Sequence, residues 1–242
     1  MDIVYLVKNN EENDSRDLRY SLRSLQNLPE ARVFLVGEKP AWAQNVTHIP
    51  VDQTKTKNEN VAMNRTAAIR SEDISEDFVL MNDDFFIMKP ITEIPRLNFG
   101  LMKDVLCSYR IRYPEGSDYI QRMGDLYELL KSQGFEEPLS YELHVPMRVK
   151  KSVIIRLQHE RAGKPMHQFR TYYGNHTHMG GESVEDVKIF LDHTHNPRQY
   201  VADPEGYLNS QTFLSTTGGV FDRGLAGEFV RSAFPGKSRF EK

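Results

Sequence analysis

Two adjacent carboxylates and an amide, Asn82-Asp83-Asp84, lie between two apolar runs of the sequence. The run before them, residues 77–81, is typical of a buried strand, so the three side chains are expected at its carboxyl end. Carboxylate and amide oxygens are hard ligands that suit Mg²⁺ or Mn²⁺, and such an ion neutralises the charge of a departing diphosphate. The alternative interpretation is that the aspartates only cap a turn. The apolar runs on both sides favour a site, because few turns are embedded between two such strands.

A second candidate is a polar loop, residues 8–15, that leads into a basic helix. Leucines recur three and four residues apart through residues 17–28, which predicts an amphipathic helix. Free N–H groups at a helix N-terminus bind phosphate, and Arg16, Arg19 and Arg23 would add cations. The alternative is a solvated basic helix face. The loop has no glycine-rich fingerprint, so neither a P-loop nor a dinucleotide-binding loop is indicated.

Histidine supplies a third group of candidates, since the sequence contains eight. Two pairs are spaced two residues apart, which places both rings of a pair on one face of a strand, where they could ligate zinc. These pairs are His176 with His178 and His193 with His195. Neither pair has a third ligand at an obvious spacing. His144, which stands alone, could be a structural histidine or a general base, because histidine exchanges protons readily near neutral pH.

The order of the predicted elements places these candidates in an α/β fold. Strands alternate with helices in the first part of the chain, and short β-branched apolar runs are typical of a parallel sheet covered on both faces. Ligands bind beyond the carboxyl ends of such strands, where both polar clusters fall. The predicted strands are residues 3–7, 33–36, 46–51, 77–81 and 85–88, and the predicted helices are residues 17–28, 58–69, 119–133, 145–158 and 226–233. Residues 167–179 are expected to form a loop near a site.

The amino-acid composition and net charge limit which kinds of function this protein can have. Lys and Arg number 31 against 34 Asp and Glu, for a net charge of -3, which gives no support to a nucleic-acid partner, although a local basic groove would suffice for one. The single cysteine, Cys107, excludes an intramolecular disulfide and a cysteine-based zinc site. No apolar run approaches the roughly 20 residues of a membrane span, and residues 1–8 lack the pattern of a signal peptide. A cytoplasmic protein is therefore the expectation.

Three stretches of the sequence together resemble the Stealth family. They are Asp-Ile-Val-Tyr at residues 2–5, Leu-Arg-Tyr-Ser-Leu-Arg-Ser at residues 18–24, and the Asn-Asp-Asp turn with its apolar flanks at residues 78–90. Members of that family are sugar-phosphate transferases of microbial capsule synthesis, related to the lysosomal-enzyme N-acetylglucosamine-1-phosphotransferase. Looser agreement extends the resemblance to residues 144–146, 168–170 and 229–241.

The sequence departs from the family pattern in two places. Leu6-Val7-Lys8-Asn9 stands where the family has Trp-Val-Asp/Asn-Gly. Ser215-Thr216-Thr217-Gly218 lies near the place of an Asn-Asp pair, and this change would remove one polar contact to metal or phosphate.

The resemblance implies a glycosyltransferase-A-like nucleotide-sugar fold with a single catalytic domain, residues 1–242. Residues 1–95 would form the nucleotide-binding α/β half, and residues 96–242 a less regular extension for the acceptor and catalysis. The implied reaction moves a sugar-1-phosphate from a UDP-sugar or similar donor to a hydroxyl of a glycan or protein, with release of a nucleoside monophosphate. The implied cofactor is Mg²⁺ or Mn²⁺. The implied metal ligands are Asp83 and Asp84, the implied catalytic residues are Asp84, His144 as the base and Arg170, and the implied nucleotide-binding residues are Lys8, Asn9, Arg19, Ser21, Arg23 and Asn82.

Two other functions remain open on the sequence. A metal-dependent glycosyltransferase would use the same carboxylates but would break the sugar–oxygen bond and release a nucleoside diphosphate. A non-catalytic carbohydrate-binding module on this fold would bind its ligand without turnover. Phosphorus NMR of the spent donor distinguishes the two transferases, because only sugar-phosphate transfer yields a nucleoside monophosphate.

Overall fold

The computed structural model describes residues 1–8, 14–161, 166–190 and 204–242. Its strands are β1 (Asp2–Val7), β2 (Arg32–Gly37), β3 (Thr47–Pro50), β4 (Asp77–Asn82), β5 (Phe85–Ile87), β6 (Leu97–Asn98), β7 (Met147–Lys150), β8 (Glu182–Ser183), β9 (Lys188–Ile189) and β10 (Phe213–Thr216). Its helices are α1 (Arg16–Ser24), α2 (Lys57–Arg70), α3 (Met102–Arg112), α4 (Asp118–Ser132), α5 (Lys151–Glu160), α6 (Phe169–His176), α7 (Pro204–Ser210), α8 (Gly218–Arg223) and α9 (Leu225–Ala233). A 3₁₀ turn, Leu25–Asn27, follows α1.

Five strands form the central sheet, in the order β3-β2-β1-β4-β7. The first four are parallel to their neighbours, and the edge strand β7 runs antiparallel to β4. All six residues of β1 are buried. A strand covered on both faces needs a continuous apolar, β-branched run rather than an alternating one, which is the pattern that β1 has. Leu6 of β1 pairs with Val36 of β2 and with Asn82 of β4, so these strands end at the same edge of the sheet.

The predicted α/β fold, a mainly parallel sheet flanked by helices, is confirmed. All five predicted strands are present as β1 to β5. The arrangement is consistent with a glycosyltransferase-A-like fold.

A second sheet of three strands begins where the chain leaves the Asp83-Asp84 turn. Its central strand, β10, is antiparallel to β5 and parallel to β9. The register pairs Ser215 of β10 with Phe85 on one side and with Lys188 on the other. This pairing brings Lys188, which is distant in sequence, beside the residues that follow Asp84.

An apolar cluster supports the second sheet from the C-terminal helices. The rings of Phe86 and Phe221 stack within it, with their centroids 5.6 Å apart. Its buried members are Phe86, Leu208, Leu214, Val220, Phe221, Ala226, Val230 and Phe234. Burial of these apolar side chains stabilises the packing of α7, α8 and α9 against β5 and β10.

Two compact units divide the chain. The first comprises Met1–Ile94, His144–Lys150 and Val187–Lys242, and it contains both the central sheet and the second sheet. The other comprises Pro95–Leu143 and Lys151–Asp186, and it contains α3 to α6 with the short β6–β8 pair. The chain therefore leaves the first unit twice and returns to it twice.

The helix predicted over residues 145–158 is wrong in its first part. Residues 147–150 form β7, and α5 begins only at Lys151. Met147 and Val149 are buried in β7 while the residues that follow each of them are exposed. This period-two alternation is typical of a strand, so the sequence did contain the signal that the helix prediction overlooked.

The loop predicted over residues 167–179 is also wrong, since it contains α6. Three aromatic side chains of α6, Phe169, Tyr172 and Tyr173, are buried, and their i, i+3, i+4 spacing is typical of a helix packed on one face. Across the described ranges, no helix has both the length and the apolar character that crossing a membrane requires.

Candidate active site

Three carboxylates share one environment at the carboxyl edge of the central sheet. Asp83 and Asp84 form the connection between β4 and β5, and Asp17 lies in the first turn of α1. The charges of Asp84 and Asp17 both raise the pKa of Asp83. We call Asp17, Asp83 and Asp84 the acidic cluster. The predicted pair of aspartates thus has a third acid beside it.

The charges around the acidic cluster are not balanced. Burial raises the pKa of Asp83 well above its ordinary value, and the neighbouring acids raise it further. Burial, followed by the charge of Asp84, raises the pKa of Asp17 to about 6. Lys8 and Lys188 lower both pKa values and so oppose these shifts. Asp222 also raises the pKa of Asp17, but it is itself paired with Arg16 at 2.9 Å. The three acids of the cluster against the two lysines leave one excess negative charge when all five groups are ionised, so one further cation would stabilise the cluster.

A buried lysine is paired with one of these acids. Lys188 Nζ donates to Asp84 Oδ2, to Ser215 Oγ at 3.2 Å and to the Thr216 carbonyl oxygen at 2.7 Å. An ammonium group has three N–H donors, so each of them has a protein acceptor. Lys188 is 6% exposed, and a lysine buried to this extent needs such partners.

Four buried oxygens around the cluster have no hydrogen-bond partner among the described residues. They are Asp17 Oδ1, Asp84 Oδ1, Thr216 Oγ1 and Thr217 Oγ1. Gly218 also lies beside the cluster, since a Cβ at that position would lie 4.0 Å from Asp17 Oδ2. A buried polar group left without a partner costs about 1–3 kcal/mol. Such an arrangement is typical of a site that is completed by a ligand.

The oxygens of the acidic cluster fit a divalent cation that prefers oxygen. In the described part of the chain, no three His, Cys, Asp or Glu side chains are already arranged around one metal position. Mg²⁺ does not need such a cage, because one or two carboxylates commonly hold it together with substrate phosphates and water. The unpartnered Oδ1 atoms of Asp17 and Asp84 are oxygens of the required kind.

The fold brings His144 against Phe85, the first residue of β5. His144 begins the segment of the first unit that leads into β7, the strand paired with β4. Its ring meets the ring of Phe85 edge-on, with the centroids 6.2 Å apart, and Phe85 directly follows Asp84. The predicted base therefore contacts the residue that follows the predicted metal ligands, and its role as a base stays a prediction.

Two of the predicted nucleotide-binding residues lie beside the acidic cluster. Lys8 directly follows β1, and its charge lowers the pKa of Asp17 and of Asp83. Asn82 is the last residue of β4 and directly precedes Asp83. Both positions are strand ends at the edge of the sheet where ligands of such folds bind.

The other predicted nucleotide-binding residues on α1 have partners within the fold. Arg23 donates through Nε and Nη2 to the two oxygens of Glu241, at 2.8 and 2.7 Å. Arg19 donates to Asp14 at 2.7 Å, and its guanidinium lies over the Trp42 ring. These contacts give both arginines a structural role, and their contact with nucleotide stays a prediction.

Ser21 joins three elements of the core. Its hydroxyl donates to the Phe85 carbonyl oxygen, and its Oγ lies 3.0 Å from the Tyr5 hydroxyl oxygen. Ser21 is fully buried, so these hydrogen bonds tie α1 to β1 and β5. The predicted contact of Ser21 with nucleotide likewise stays a prediction.

The remaining predicted residues lie in the second unit or outside the described ranges. Arg170 is half-buried on α6. The rings of His176 and His178 pack on Phe135 with centroid distances of 5.1 and 5.8 Å, and burial lowers the pKa of His176. Asn9, His193 and His195 lie outside the described residues.

A second set of contacts fixes the end of β1 directly before Lys8. The Val7 carbonyl oxygen accepts from Gln53 Nε2 at 2.7 Å and from Asn64 Nδ2 at 3.1 Å. Gly37 approaches the same carbonyl, with a φ of +108°, and a Cβ there would lie 2.2 Å from the oxygen. This close approach of the backbone requires glycine.

Sequence reasoning missed Asp17, Lys188 and the unpartnered threonine hydroxyls. An acid in the first turn of a helix is common because it interacts favourably with the helix dipole, so Asp17 did not stand out. Lys188 reaches Asp84 only through the pairing of β9 with β10, which no local pattern indicates. Thr216 and Thr217 were visible only as a departure from the family pattern.

Comparison with known proteins gives one informative similarity. No family model matches this sequence. The chain is 31% identical over 170 residues to an exopolysaccharide phosphotransferase of Streptomyces coelicolor. The match covers 60% of this chain and 28% of that protein, so the chain spans only about a quarter of its relative's length. The similarity supports a relationship to sugar-phosphate transferases in general, and the narrower resemblance to the Stealth family stays a prediction.

Proposed function

We propose that this chain transfers a sugar-1-phosphate from a nucleotide-sugar, with a UDP-sugar as the expected donor, to a hydroxyl of a glycan or protein. One observation supports this above all: the acidic cluster contains two carboxylate oxygens without hydrogen-bond partners among the described residues. The similarity to an exopolysaccharide phosphotransferase supports the same reaction class. Transfer from a diphosphate requires positive charge at the departing phosphate, and an acidic cluster at the sheet edge is suited to recruit it as a cation.

Asp83 and Asp84, the ligands that the sequence predicts, would hold a Mg²⁺ or Mn²⁺ ion in this proposal, and Asp17, whose Oδ1 has no partner among the described residues, would add a third carboxylate. When bound, the ion supplies positive charge that neutralises the donor diphosphate and the leaving nucleoside monophosphate. The chain itself contributes the placement of the carboxylates. β4 and β5 fix the backbone of the turn, and Lys188 holds one oxygen of Asp84.

The acceptor hydroxyl oxygen attacks the phosphorus that bears the sugar. A new oxygen–phosphorus bond forms as the bond between that phosphorus and the bridging oxygen of the diphosphate breaks, and a nucleoside monophosphate leaves. His144 takes the proton of the acceptor hydroxyl. Lys8 counters phosphate charge, and the role of Arg170 stays a prediction from the family resemblance. Positioning and charge neutralisation account for most of the catalysis of such in-line transfers.

The nucleotide side of the donor is assigned to the strand ends. Lys8 and Asn82 are the main proposed contacts, because both lie beside the acidic cluster, and Asn9 is assigned with them from the sequence. Arg19, Ser21 and Arg23 belong to the same prediction, but their hydrogen bonds within the fold favour a supporting role, in which they hold α1 in place.

Phosphorus NMR tests the reaction. A thermal-shift screen of UDP-sugars with MnCl₂ first identifies the donor, because a ligand of the folded state raises the melting temperature. The donor is then incubated with protein and a glycan acceptor. UMP together with a new phosphodiester signal is the expected result. Release of UDP would show glycosyl transfer instead, and binding without any product would show a carbohydrate-binding module.

A matched pair of variants connects the result to the site. Asp84→Asn should abolish product formation, whereas Asp77→Asn should not alter it. Asp77 is an exposed aspartate at the other end of β4, paired with Lys150. Equal activity of the two variants would refute the assignment of the acidic cluster as the active site.

A further inference from the structure

Lys188 combines deep burial, a positive charge and a direct bond to a predicted metal ligand. Its ammonium group meets Asp84 Oδ2, Ser215 Oγ and the Thr216 carbonyl oxygen. Nothing in the residue pattern around Lys188 marks it as functional. The structure nevertheless places it at the acidic cluster, in direct contact with Asp84.

The hydrogen bonds of Lys188 argue against a role as a substrate-binding cation. A lysine that grips phosphate must present N–H donors to it, and the three donors of Lys188 already have protein acceptors at the end of a strand pair. The side chain is only 8% exposed. Its charge therefore acts on the neighbouring carboxylates rather than on a ligand that it contacts.

The ion pair with Lys188 makes the two carboxylate oxygens of Asp84 functionally different. Oδ2 is bonded to Lys188, whereas Oδ1 is buried without a hydrogen-bond partner among the described residues. Asp84 can therefore offer one oxygen to a cation while Lys188 keeps the other. The ammonium also offsets the negative charge of Asp84, which lowers the attraction of the acidic cluster for any further cation.

We propose that Lys188 is a positioning residue that acts as an internal counter-ion of Asp84. It orients the Asp84 carboxylate so that Oδ1 faces the site, and it keeps the affinity of the free protein for a divalent cation low. This inference rests on the proposed function in that it takes the acidic cluster as the cation site. It adds a coupling between metal and substrate. Because the carboxylates bind the ion weakly on their own, the ion binds well only together with the phosphates of the donor, which supply further oxygens and negative charge.

The test compares Mn²⁺ binding by wild type and Lys188→Met, measured by electron paramagnetic resonance without donor. Methionine has a similar length and no charge, so Asp84 regains its second oxygen and the cluster regains a full negative charge. Mn²⁺ should bind at least about tenfold more tightly to the variant. Turnover should nevertheless fall at least about tenfold, because Asp84 loses its fixed orientation. A purely structural lysine would not produce tighter metal binding with slower reaction.

Lys150→Met is the matched control. Lys150 also forms an ion pair with an aspartate of β4, Asp77, at 2.7 Å, but both partners are exposed. Its removal should leave Mn²⁺ affinity and turnover at wild-type values. Should Lys188→Met fail to fold, as judged by circular dichroism and melting temperature, Lys188→Gln provides the same loss of charge while it keeps N–H donors for Ser215 and Thr216.

The outcomes separate the role of Lys188 from the proposed function. A folded variant at position 188 whose Mn²⁺ affinity equals or falls below that of wild type overturns the inference, as does the absence of Mn²⁺ binding in both proteins. Tighter Mn²⁺ binding by the variant supports the inference even if no UDP-sugar yields UMP. In that case the counter-ion role of Lys188 stands and the proposed sugar-phosphate transfer fails.

Discussion

Replacing Arg23 with methionine removes the cation that joins α1 to the C-terminal segment. The Arg23 side chain is 9% exposed and the Glu241 side chain is fully buried. Two N–H···O bonds of 2.8 and 2.7 Å connect them, and Arg23 Nη1 also donates to the Phe234 carbonyl oxygen at 3.0 Å. The substitution leaves a buried carboxylate that has lost its main counter-ion.

The expected cost follows from that burial. Removing one partner of a buried ion pair destabilises a protein by about 3–5 kcal/mol. Arg19 Nη1 remains 3.7 Å from Glu241 Oε2, so the lower end of the range, about 3 kcal/mol, is expected for Arg23→Met. In a chain of this size about 1 kcal/mol changes the melting temperature by about 2–4 °C, so a fall of about 6–12 °C should follow.

Urea unfolding followed by circular dichroism at pH 7 measures the effect. Arg239→Met is the control, because Arg239 forms an ion pair with Glu30 in which the two side chains are 47% and 82% exposed. Exposed pairs of this kind contribute about 0–1 kcal/mol. The control should therefore unfold at nearly the same urea concentration as wild type.

The difference between Arg23→Met and wild type should also depend on pH. Burial by itself would raise the pKa of Glu241, but the hydrogen bonds from Arg23 and Ser238 outweigh it and lower the pKa below the ordinary value of 4.5. A carboxyl whose pKa is lowered in the folded state stabilises the protein above its unfolded-state pKa, and this contribution is lost as the pH falls through the folded-state pKa. The stability difference should be complete at pH 7 and should shrink as the pH falls below 4.5.

One result would refute this reasoning about Arg23. If Arg23→Met is as stable as wild type and instead weakens binding of the UDP-sugar, the guanidinium serves the nucleotide, as the sequence predicts. The structure leads us to expect the reverse, a less stable protein with unchanged donor affinity.

Three further substitutions test other contacts. Asp17→Asn should weaken Mn²⁺ binding at least about tenfold, because it removes one of three clustered negative charges; titration by electron paramagnetic resonance checks this, and unchanged affinity would place the ion elsewhere. Gly37→Ala should destabilise the fold by at least about 2 kcal/mol in urea unfolding, since it adds a Cβ at positive φ against the Val7 carbonyl; a neutral result would contradict the close approach. Ser21→Ala should cost about 1–3 kcal/mol, because the buried Tyr5 hydroxyl loses its partner; equal stability to wild type would contradict a structural role for Ser21.

Much of the first unit is predictable from local patterns. A strand buried on both faces requires a continuous apolar run, and β1, β2 and β4 each have one. The position of Asp83 and Asp84 at a strand end follows from the same reasoning, because polar residues must resume where a buried strand ends. The two incorrect predictions fall on residues 145–158 and 167–179, where short elements follow one another closely and the window for periodicity is small.

The sequence by itself therefore determined which segments are buried strands and that a pair of aspartates follows one of them. Tertiary structure alone decided what surrounds that pair. Asp17 joins it through the packing of α1, and Lys188 joins it through the register of β9 with β10. Arg23 forms its ion pair with Glu241, which is distant from it in sequence. The physical reason is that burial of a strand or helix produces a regular pattern of apolar residues along the sequence. The partner of a charged side chain depends instead on which strands and helices pack side by side in the fold.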